Sequence, residues 1–490
     1  MAGHSSKQTV GGLPDTAAAS SLVPVALTWL VWSLFAASVA ALLGRLQFGG
    51  WALPGVVAVD GLTVLLWVVV TFFSGIVHSY SRRYMAGSAH EATFFGGVFA
   101  FTLVVMGLVA ADHIALFGGL WLAMGLVMAE LVGTVDDWPQ AQAAASVARR
   151  YFLASSALLG VALTALWWAT GATTISGIAA ADGLGGPVWL VAAVALVLAA
   201  MIQSALVPFH GWLLSSMTAP TPASALMHAG FVNAGGILLL RFAPVVTVDA
   251  ALMLGIVVVG ATSALLGKLL KAVQSDAKSK LGCSTVGQMG FMIMQAGLGF
   301  FGAAITHLVL HGFYKAYHFL SAGEAVEHTA PTAAETRETT LVGAAVVLAT
   351  GLAGGALFAV LTGKGTTLDS GLLLALFVVV TTLHAARTAV AQTGLSATAR
   401  YGAVPLVFVP AIAVYATVYN AITTVLSGLP VVAAPTELTA LHAVVALGFL
   451  AAYVAIETGV HERSRRLYVA LLNASQPAPG TVLTATEDSQ

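Results

Sequence analysis

The sequence predicts an all-α polytopic membrane protein with roughly 13–14 transmembrane helices. Three observations lead to this fold class. Hydrophobic residues make up 59% of the 490 residues, charged residues make up only 8%, and the mean hydropathy is +0.93. A soluble protein carries about a quarter of its residues as charged side chains, so these values exclude a water-soluble surface. The apolar residues are also grouped into long runs that short polar segments separate.

The apolar runs give the order of the predicted helices. They begin near Val23, Val56, Thr93, His113, Tyr151, Val188, Pro222, Ala250, Leu281, Phe301, Leu341, Ser370, Pro405 and Leu438. The division before Phe301 is the weakest, because the runs on either side of it are short. The longest polar pieces are the linker 324–340 and the tail after His461. We therefore expect an amino-terminal lead (1–22), a single transmembrane domain (23–460) and a cytoplasmic tail (461–490).

Lysines and arginines are concentrated on one side of this arrangement. One side receives Arg82, Arg83, Arg149, Arg150, Lys271, Lys278, Lys280, Arg337, Arg400, Arg463, Arg465 and Arg466, and the other receives little beyond Arg45, Arg241 and Lys364. Because cytoplasmic loops carry the excess of lysine and arginine, both termini are predicted to be cytoplasmic. The first apolar run is long enough to span, so we interpret it as a retained helix and not as a cleaved signal.

Charge and cysteine content exclude further classes. A net charge of -1 argues against general nucleic-acid binding. With Cys283 alone, the chain cannot form an intrachain disulfide or a cysteine-based metal cluster.

The clearest functional candidates lie in the segment AITHLVLHGFYKAYHFLSAG. His307, His311 and Lys315 are spaced four residues apart, and His318 returns to nearly the same direction on a helix, so the four form one polar stripe. An ionisable side chain at the bilayer centre costs roughly 2.5–3.5 kcal/mol and is a functional candidate. Histidine titrates near neutral pH and a desolvated lysine can release its proton, which suits proton transfer. The alternatives are a metal site at the two histidines and hydrogen bonding between helices.

Other intramembrane polar residues carry weaker signals. Glu130 lies late in its predicted helix and fits either a conducting role or the following acidic loop. Lys268 lies one turn deeper than Lys271, which we expect to reach the membrane surface. Asp60 fits a helix cap as well as a functional role. His384 and Arg387 share a helix face, which is typical of anchoring residues near a membrane boundary.

A broken helix is predicted around residues 208–233. Pro208 is expected to end one helix, and the segment APTPAS, with Pro220 and Pro222, is expected to break the chain before the next helix starts with Thr221 as its cap. Broken helices at membrane depth occur where the freed backbone groups line a cavity or the protein interior. His228 lies within two turns of this predicted break, and Asn233 follows it. The break is therefore predicted to be part of an ion pathway.

Three segments of residues 203–323 resemble, in order, the proton-translocating membrane subunits of respiratory complex I and of Mrp antiporters. They are PFHGWLLSSMTAPTPASALMHAG, SDAKSKLGCSTVGQMGFMI and ITHLVLHGFYKAYHFLSAG. The resemblance implies antiporter-like inverted repeats with a broken helix. The sequence departs from that pattern at charged positions: Gln203 stands where those subunits usually have a lysine, and their usual mid-helix glutamate is absent, with Glu130 about two turns later.

One branch of that superfamily matches better. The segment HGWLLSSMTAPTPASALMHAGFVNAGGILLLRFAP is similar to the DabB family, the membrane subunits of Dab inorganic-carbon accumulation complexes. This resemblance implies a non-enzymatic subunit in a bacterial inner membrane. The subunit is expected to conduct a cation down its gradient, with H+ as the first candidate. It also implies a large peripheral cytoplasmic partner, DabA-like and related to β-carbonic anhydrases. That partner would carry the zinc and hydrate CO2 so that bicarbonate accumulates. No cofactor is expected in this chain.

The predicted relay consists of His228, Lys268, His307, His311 and Lys315, with Glu130 as the acid at its start. Two other functions stay open. One is a pump or antiporter subunit of the complex I, hydrogenase or Mrp type, against which the missing lysine and glutamate argue. The other is a self-contained enzyme, which would need about three protein ligands for a catalytic zinc. The sequence does not decide between H+ and Na+.

Overall fold

The computed structural model describes residues 22–181, 183, 185–322, 340–390, 397–459 and 463–481. Almost all of the predicted lead (1–22), nearly the whole linker 324–340 and the last part of the tail lie outside the described residues. The described chain is almost entirely helical, as its composition predicts.

The first half of the chain contains eight helices and one small hairpin among its described residues. In chain order they are α1 (Leu22–Phe48), β1 (Trp51–Leu53), β2 (Val57–Val59), α2 (Gly61–Tyr84), α3 (Glu91–Ala110), α4 (Ile114–Val132), α5 (Pro139–Thr170), α6 (Ile175–Ala179), α7 (Gly186–Gln203) and α8 (Gly211–Ser215). The strands pair antiparallel with Trp51 opposite Val59. Strands of three residues are too short to give an alternating pattern, so the sequence did not predict them.

The second half continues with the helices that carry most of the candidate residues. They are α9 (Thr221–Ala229), α10 (Ala234–Arg241), α11 (Ala243–Val246), α12 (Ala250–Ala272), α13 (Ala277–Gly297), α14 (Phe301–Leu320), α15 (Leu341–Thr362), α16 (Gly371–Val390), α17 (Ala397–Leu426), α18 (Ala440–Glu457) and α19 (Arg465–Ala474). Aspartates cap several of them: the side chains of Asp249 and Asp276 accept hydrogen bonds from the third residue of α12 and α13.

The number of membrane-length segments agrees with the prediction. In the described part of the chain, eleven segments are long and apolar enough to cross a membrane, and α9 and α10 together count as one of them. The more polar α13 and α14 and the shorter α18 bring the total to fourteen. The division before Phe301 is confirmed, because α13 ends at Gly297 and α14 begins at Phe301. The start of α5 was placed too late, since its alanine-rich polar first turns continue the helix from Pro139.

Contacts between loops define two faces of the bundle. At one face α2 and α12 end and α9 and α13 begin; there the Tyr84 hydroxyl donates to Thr221 and the Gln274 amide donates to Ser475. We call this the basic face, because Arg82, Arg83, Lys271, Lys278, Lys280, Arg463, Arg465 and Arg466 lie at or near it. At the opposite face Asp60 caps α2 and forms an ion pair with Arg241, so its predicted capping role is observed together with a charge partner.

Glycines bring α12 and α13 into backbone contact. A Cβ on Gly267 would lie 2.2 Å from the backbone nitrogen of Gly287, and a Cβ on Gly290 would lie 2.5 Å from that of Ala264. No side chain fits at such distances, so the two helices approach as closely as small residues permit. This contact sets Lys268 on α12 beside the middle of α13.

An aromatic cluster holds the connection between α7 and α9. The ring of Phe152 on α5 lies 4.8 Å from Trp212 and 4.6 Å from Phe231, measured between centroids, and all three side chains are buried. The Trp212 indole donates to the carbonyl of Ile202 at the end of α7. The segment that leads to His228 is therefore fixed on several sides.

Candidate functional site

The helix that carries His228 is interrupted at Gly230, and the prolines mark its start. After α9 ends at Ala229, residues Phe231–Asn233 form a single 3-10 turn before α10. The Asn233 amide donates to the carbonyl of Ala229 at 2.7 Å across this interruption. His228 thus lies two residues before a second interruption, which was not predicted, in addition to the predicted break before α9.

The prolines of APTPAS precede and start α9 as predicted, but the capping residue and the role of Pro208 need correction. Pro220 is the residue before α9 and Pro222 lies in its first turn, where a proline lacks no required hydrogen bond. Pro220 therefore takes the capping position predicted for Thr221, without a side-chain cap. Pro208 does not end α7, which stops at Gln203 before Ala205 adopts a left-handed backbone with a φ of 52°.

His228 is buried between three helices. Its side chain has no exposed surface, and its ring stacks on Phe319 of α14 with 4.4 Å between centroids. Its Nδ1 atom lies 2.9 Å from the hydroxyl of Thr285 on α13. Among the described residues its Nε2 atom has no hydrogen-bond partner. A ring nitrogen without a partner is able to accept a proton.

Lys315 joins the same network through a backbone carbonyl. Its side chain is fully buried, and its Nζ atom donates to the carbonyl oxygen of Leu281 at 2.7 Å. The hydroxyl of Thr285 donates to this same oxygen at 2.9 Å. Because that hydroxyl has one hydrogen, it accepts from His228 while it donates to Leu281. His228, Thr285, the Leu281 carbonyl and Lys315 therefore form one continuous hydrogen-bonded chain.

The predicted stripe on α14 continues from Lys315 toward the opposite face. The rings of His311 and His307 are nearly parallel, with 5.8 Å between centroids. Within the described part of the chain, both ring nitrogens of His311 and the Nε2 atom of His307 are buried without hydrogen-bond partners. His318 departs from the stripe, since it is half-exposed and packs against Tyr314 instead. We define the buried stripe as the buried His311 and Lys315 together with His307, a partly buried residue whose Nε2 atom is buried.

A cavity of about 630 Å³ lies at the His307 end of the stripe. It separates α12, α13 and α14 from α15–α18, and its polar lining includes Lys268, Lys271, Gln288, His307, His384 and Tyr415. The Lys268 Nζ atom lies 2.9 Å from Nε2 of His384, so α12 and α16 are linked across the cavity. A cavity of this size has room for many water molecules, which are potential partners for the unpaired histidine nitrogens.

Glu130 is not part of this network. It forms an ion pair with Arg149 on α5, and its side chain is 73% exposed. The structure therefore brings together His228, His307, His311 and Lys315, places Lys268 in the adjoining cavity, and leaves Glu130 at the surface. Gln203 is buried at the end of α7 and its amide nitrogen has no partner among the described residues.

Sequence reasoning missed the roles of Thr285 and His384, and it missed a second buried polar group around His78. Thr285 lies in the second family-like segment, and its hydroxyl was the available signal. His384 was interpreted as an anchor, because nothing in the sequence pairs α16 with Lys268. His78 on α2 is 1% exposed and belongs to a separate polar group with Ser74, whose hydroxyl lies 2.6 Å from that of Thr102. His78, like His307, is an ionisable residue within a membrane segment and on that ground was a functional candidate.

Metal ligation at the stripe finds no support. In the part of the chain that the structure describes, three possible ligand groups meet only at His90, Asp136 and Asp137, in loops at the basic face. Among the described residues, no third ligand joins His307 and His311 as a structural or catalytic zinc site requires.

Comparisons with known proteins place the site within a family. Residues 110–382 match the family model described as NADH:quinone oxidoreductase/Mrp antiporter, transmembrane, and residues 46–95 match that of the amino terminus of NADH-ubiquinone oxidoreductase (complex I) chain 5. The first of these matches covers more than half of the chain and contains the whole network.

Several curated proteins are similar over the same part of the chain. The probable inorganic carbon transporter subunit DabB1 of Halothiobacillus neapolitanus is 39% identical over 280 residues, which are 56% of this chain and 50% of that protein. The DabB subunit of Bacillus subtilis is 39% identical over 276 residues, 54% of this chain and 53% of that one. NADH-ubiquinone oxidoreductase chain 5 of Cryptococcus neoformans is 33% identical over 269 residues, 54% of this chain and 41% of that one. The matches thus span about half the length of these relatives.

The fold has a solved counterpart. A chain in the Mrp complex from Dietzia sp. is similar with a TM-score of 0.55 and 23% sequence identity, over 94% of this chain and 51% of that chain. This similarity supports the arrangement of helices.

Proposed function

Because the chain belongs to the NADH:quinone oxidoreductase/Mrp antiporter transmembrane family, we propose that it conducts a cation, H+, through the buried stripe and the adjoining cavity. The observation that carries the proposal is the buried Lys315, hydrogen-bonded to the Leu281 carbonyl that Thr285 and His228 also reach. Burying an ammonium group in a membrane is energetically costly, so a buried lysine there indicates a functional role. A side chain that alternates between charged and neutral states has such a role.

The order of the groups supports a proton path. Protons arriving in the cavity meet the Lys268–His384 pair and His307, and the parallel ring of His311 lies between His307 and Lys315. The Leu281 carbonyl accepts from both Lys315 and Thr285 and has no hydrogen to pass on, so these bonds position Lys315 beside His228 at the helix break. Proton transfer between Lys315 and His228 then requires a bridging water or a side-chain movement. Histidines and lysine exchange protons readily, whereas sodium prefers oxygen ligands, so H+ fits this path better than Na+.

The proposed physiological role is inorganic-carbon accumulation. Its support is the similarity to proteins named as inorganic carbon transporter subunits. In this role the chain is the membrane subunit of a bacterial inner-membrane complex, with both termini in the cytoplasm. A large peripheral zinc-containing subunit related to β-carbonic anhydrases hydrates CO2, and the cation gradient drives that reaction toward bicarbonate. The chain itself performs no catalysis and holds no zinc.

Transport in cells tests the proposal directly. In a strain that depends on this complex for growth at ambient CO2, we expect Lys315→Ala and His311→Ala to abolish growth and bicarbonate accumulation. His318→Ala is the matched control, because His318 lies on the same helix outside the buried stripe. Membrane levels of each variant are compared by immunoblot. Wild-type carbon uptake by both stripe variants at equal protein level would refute the proposed path.

A second function is favoured by a different finding. Similarity to chain 5 of NADH-ubiquinone oxidoreductase and to an Mrp complex suits a pump or antiporter subunit. Purification of the intact complex distinguishes the two roles. A large co-purifying subunit with stoichiometric zinc supports carbon accumulation, whereas quinone-reducing or antiporter subunits support the second function. Zinc bound to the isolated membrane chain would contradict both and indicate an enzyme.

A further inference from the structure

The end of the chain forms a strap across the basic face. We define the carboxyl-terminal strap as residues 463–481, which include α19 and the turn that follows it. Ala474 accepts a hydrogen bond from Nε2 of His210 at 3.0 Å, and the backbone nitrogen of Ala478 donates to the Ser215 hydroxyl at 2.9 Å. Ser475 accepts from Gln274 at 2.7 Å. The strap is thus attached to α8 and to the end of α12.

Only the second half of α19 is covered by the bundle. The side chain of Leu471 is 5% exposed and packs with Leu214 of α8, Leu270 of α12 and Cys283 of α13. Residues 465–470 are exposed on every side of the helix. The first half of α19 therefore projects beyond the protein at the level of the basic face.

The exposed half of α19 is amphipathic in a definite direction. With 3.6 residues per turn, Leu467 and Tyr468 point to the same side as the buried Leu471 and the half-buried Leu472. Arg466 points away from this side, and Arg465 lies at its edge, one turn before Tyr468. Leu467 and Tyr468 are nevertheless 36% and 41% exposed. The apolar side of α19 is thus buried at Leu471, where it contacts the bundle. It is exposed at Leu467 and Tyr468, which lie beyond the edge of the bundle.

The charge of the strap indicates what the exposed half of α19 contacts. The strap contains Arg463, Arg465 and Arg466 and no acidic residue between positions 463 and 481. Arginines at the edge of and opposite to an apolar side formed by leucine and tyrosine are typical of helices that lie in a membrane interface containing anionic lipids. Beyond the edge of a transmembrane bundle at this level, the neighbouring surface is the bilayer.

We propose that the first half of α19 is an interfacial anchor that binds anionic phospholipid headgroups through Arg463, Arg465 and Arg466 and places Leu467 and Tyr468 among the acyl chains. Hydrogen bonds with His210 and Ser215 hold the strap on α8, and a short 3-10 turn connects α8 to the helix that carries His228. The anchor does not depend on which ion the chain conducts, so it is tested by lipid contact alone.

The test measures amide hydrogen exchange of the unmodified full chain in nanodiscs of phosphatidylcholine and of phosphatidylglycerol. We expect residues 465–472 to exchange more slowly in the phosphatidylglycerol discs. The variant Arg465→Gln with Arg466→Gln should lose this protection, by about fivefold for each arginine removed. Exchange in α12 serves as the internal reference for folding. Equal exchange in both lipids, or a double variant protected like the parent, would overturn the proposal.

A second measurement locates the apolar side. A fluorescent label is attached at Tyr468→Cys, with Asn473→Cys on the opposite side of α19 as the matched control, both in a Cys283→Ser chain. Brominated phosphatidylglycerol should quench the label at 468 and spare the label at 473. Equal quenching of both labels, or shielding at 468 only when a second protein is added, would contradict a lipid-facing anchor and indicate a protein interface instead.

Discussion

Ionisable side chains are paired differently in the two regions of this bundle. Around α2–α5, acids meet arginines: Asp60 pairs with Arg241, and Glu130 pairs with Arg149. Around α9–α16, bases lie near other bases, and their hydrogen-bond partners include a threonine, a backbone carbonyl and a histidine. An acid–arginine pair keeps both charges fixed and stabilises structure. A row of histidines and lysines leaves protons free to move, so the contrast separates structural ion pairs from the proposed conduction path.

The largest expected effect is on stability, at the more buried of the two acid–arginine pairs. Asp60→Asn leaves the Arg241 charge without its counter-ion, so the free energy of unfolding should fall by about 3 kcal/mol. Thermal unfolding in detergent measures it. Proton flux per folded molecule should stay unchanged, and a loss of flux would contradict the division between the two regions.

This pair also predicts a pH dependence. Burial alone would raise the pKa of the Asp60 carboxyl, but the charge of Arg241 and hydrogen bonds from Arg241 and Thr63 bring the pKa below its ordinary value of 3.8. A carboxyl whose pKa is lowered by folding stabilises the protein above its ordinary pKa, and the contribution is lost as the pH falls through the lowered value. Asp60→Asn should remove this acid-dependent part of the unfolding curve.

The largest expected effect on conduction is at Lys315. Lys315→Met keeps the side-chain length and removes the proton-carrying group, so proton flux into liposomes should fall about 100-fold. Stability should be retained or increased, because a buried charge is replaced by an apolar side chain. Lys364→Met is the control, since Lys364 lies in the loop after α15 at the opposite face. Flux at the parent level in Lys315→Met would show that the buried lysine carries no proton.

A smaller effect is expected where the network crosses from α13 to α9. Thr285→Val keeps the shape of the side chain and removes the hydroxyl between His228 and Leu281, so flux should fall about tenfold. Thr306→Val is a matched control: Thr306 is also buried, and it bonds only the carbonyl of Gly302 in its own helix. Equal losses in the two variants would indicate a general packing defect and no specific link.

The smallest effect is expected at the exposed acid. Glu130→Gln removes a surface ion pair, so stability should change by less than about 1 kcal/mol and proton flux should not change. The same liposome assay measures the flux. A loss of proton flux similar to that of Thr285→Val would mean that the proton path begins at Glu130, in the region of α2–α5.

Much of the fold could be predicted from composition and periodicity. The apolar runs gave the helices, because a bilayer imposes one length on every span. Four-residue spacing gave the stripe of α14, because helix geometry alone places His307, His311 and Lys315 on one side. These features depend on local sequence and on the membrane as solvent.

The remainder depends on tertiary contacts that no local pattern encodes. Prolines predicted the chain break before Thr221 and the helix that starts there, but not the second interruption at Gly230, where no proline stands and Phe231 packs against Phe152. His384 and Lys268 meet only because α16 crosses the cavity beside α12. Glu130 lies near the end of α4, where a side chain can reach the surface and the arginine of α5, and its position in the sequence does not show this.

The acceptor at the centre of the network belongs to the main chain. The Leu281 oxygen that receives Lys315 and Thr285 is present whatever side chain occupies position 281. An alanine scan would therefore pass over this position without a signal, and natural variation there would tell nothing of its importance. Only the backbone position of α13 must be kept, so substitutions of the side chain at position 281 would not reveal this contact.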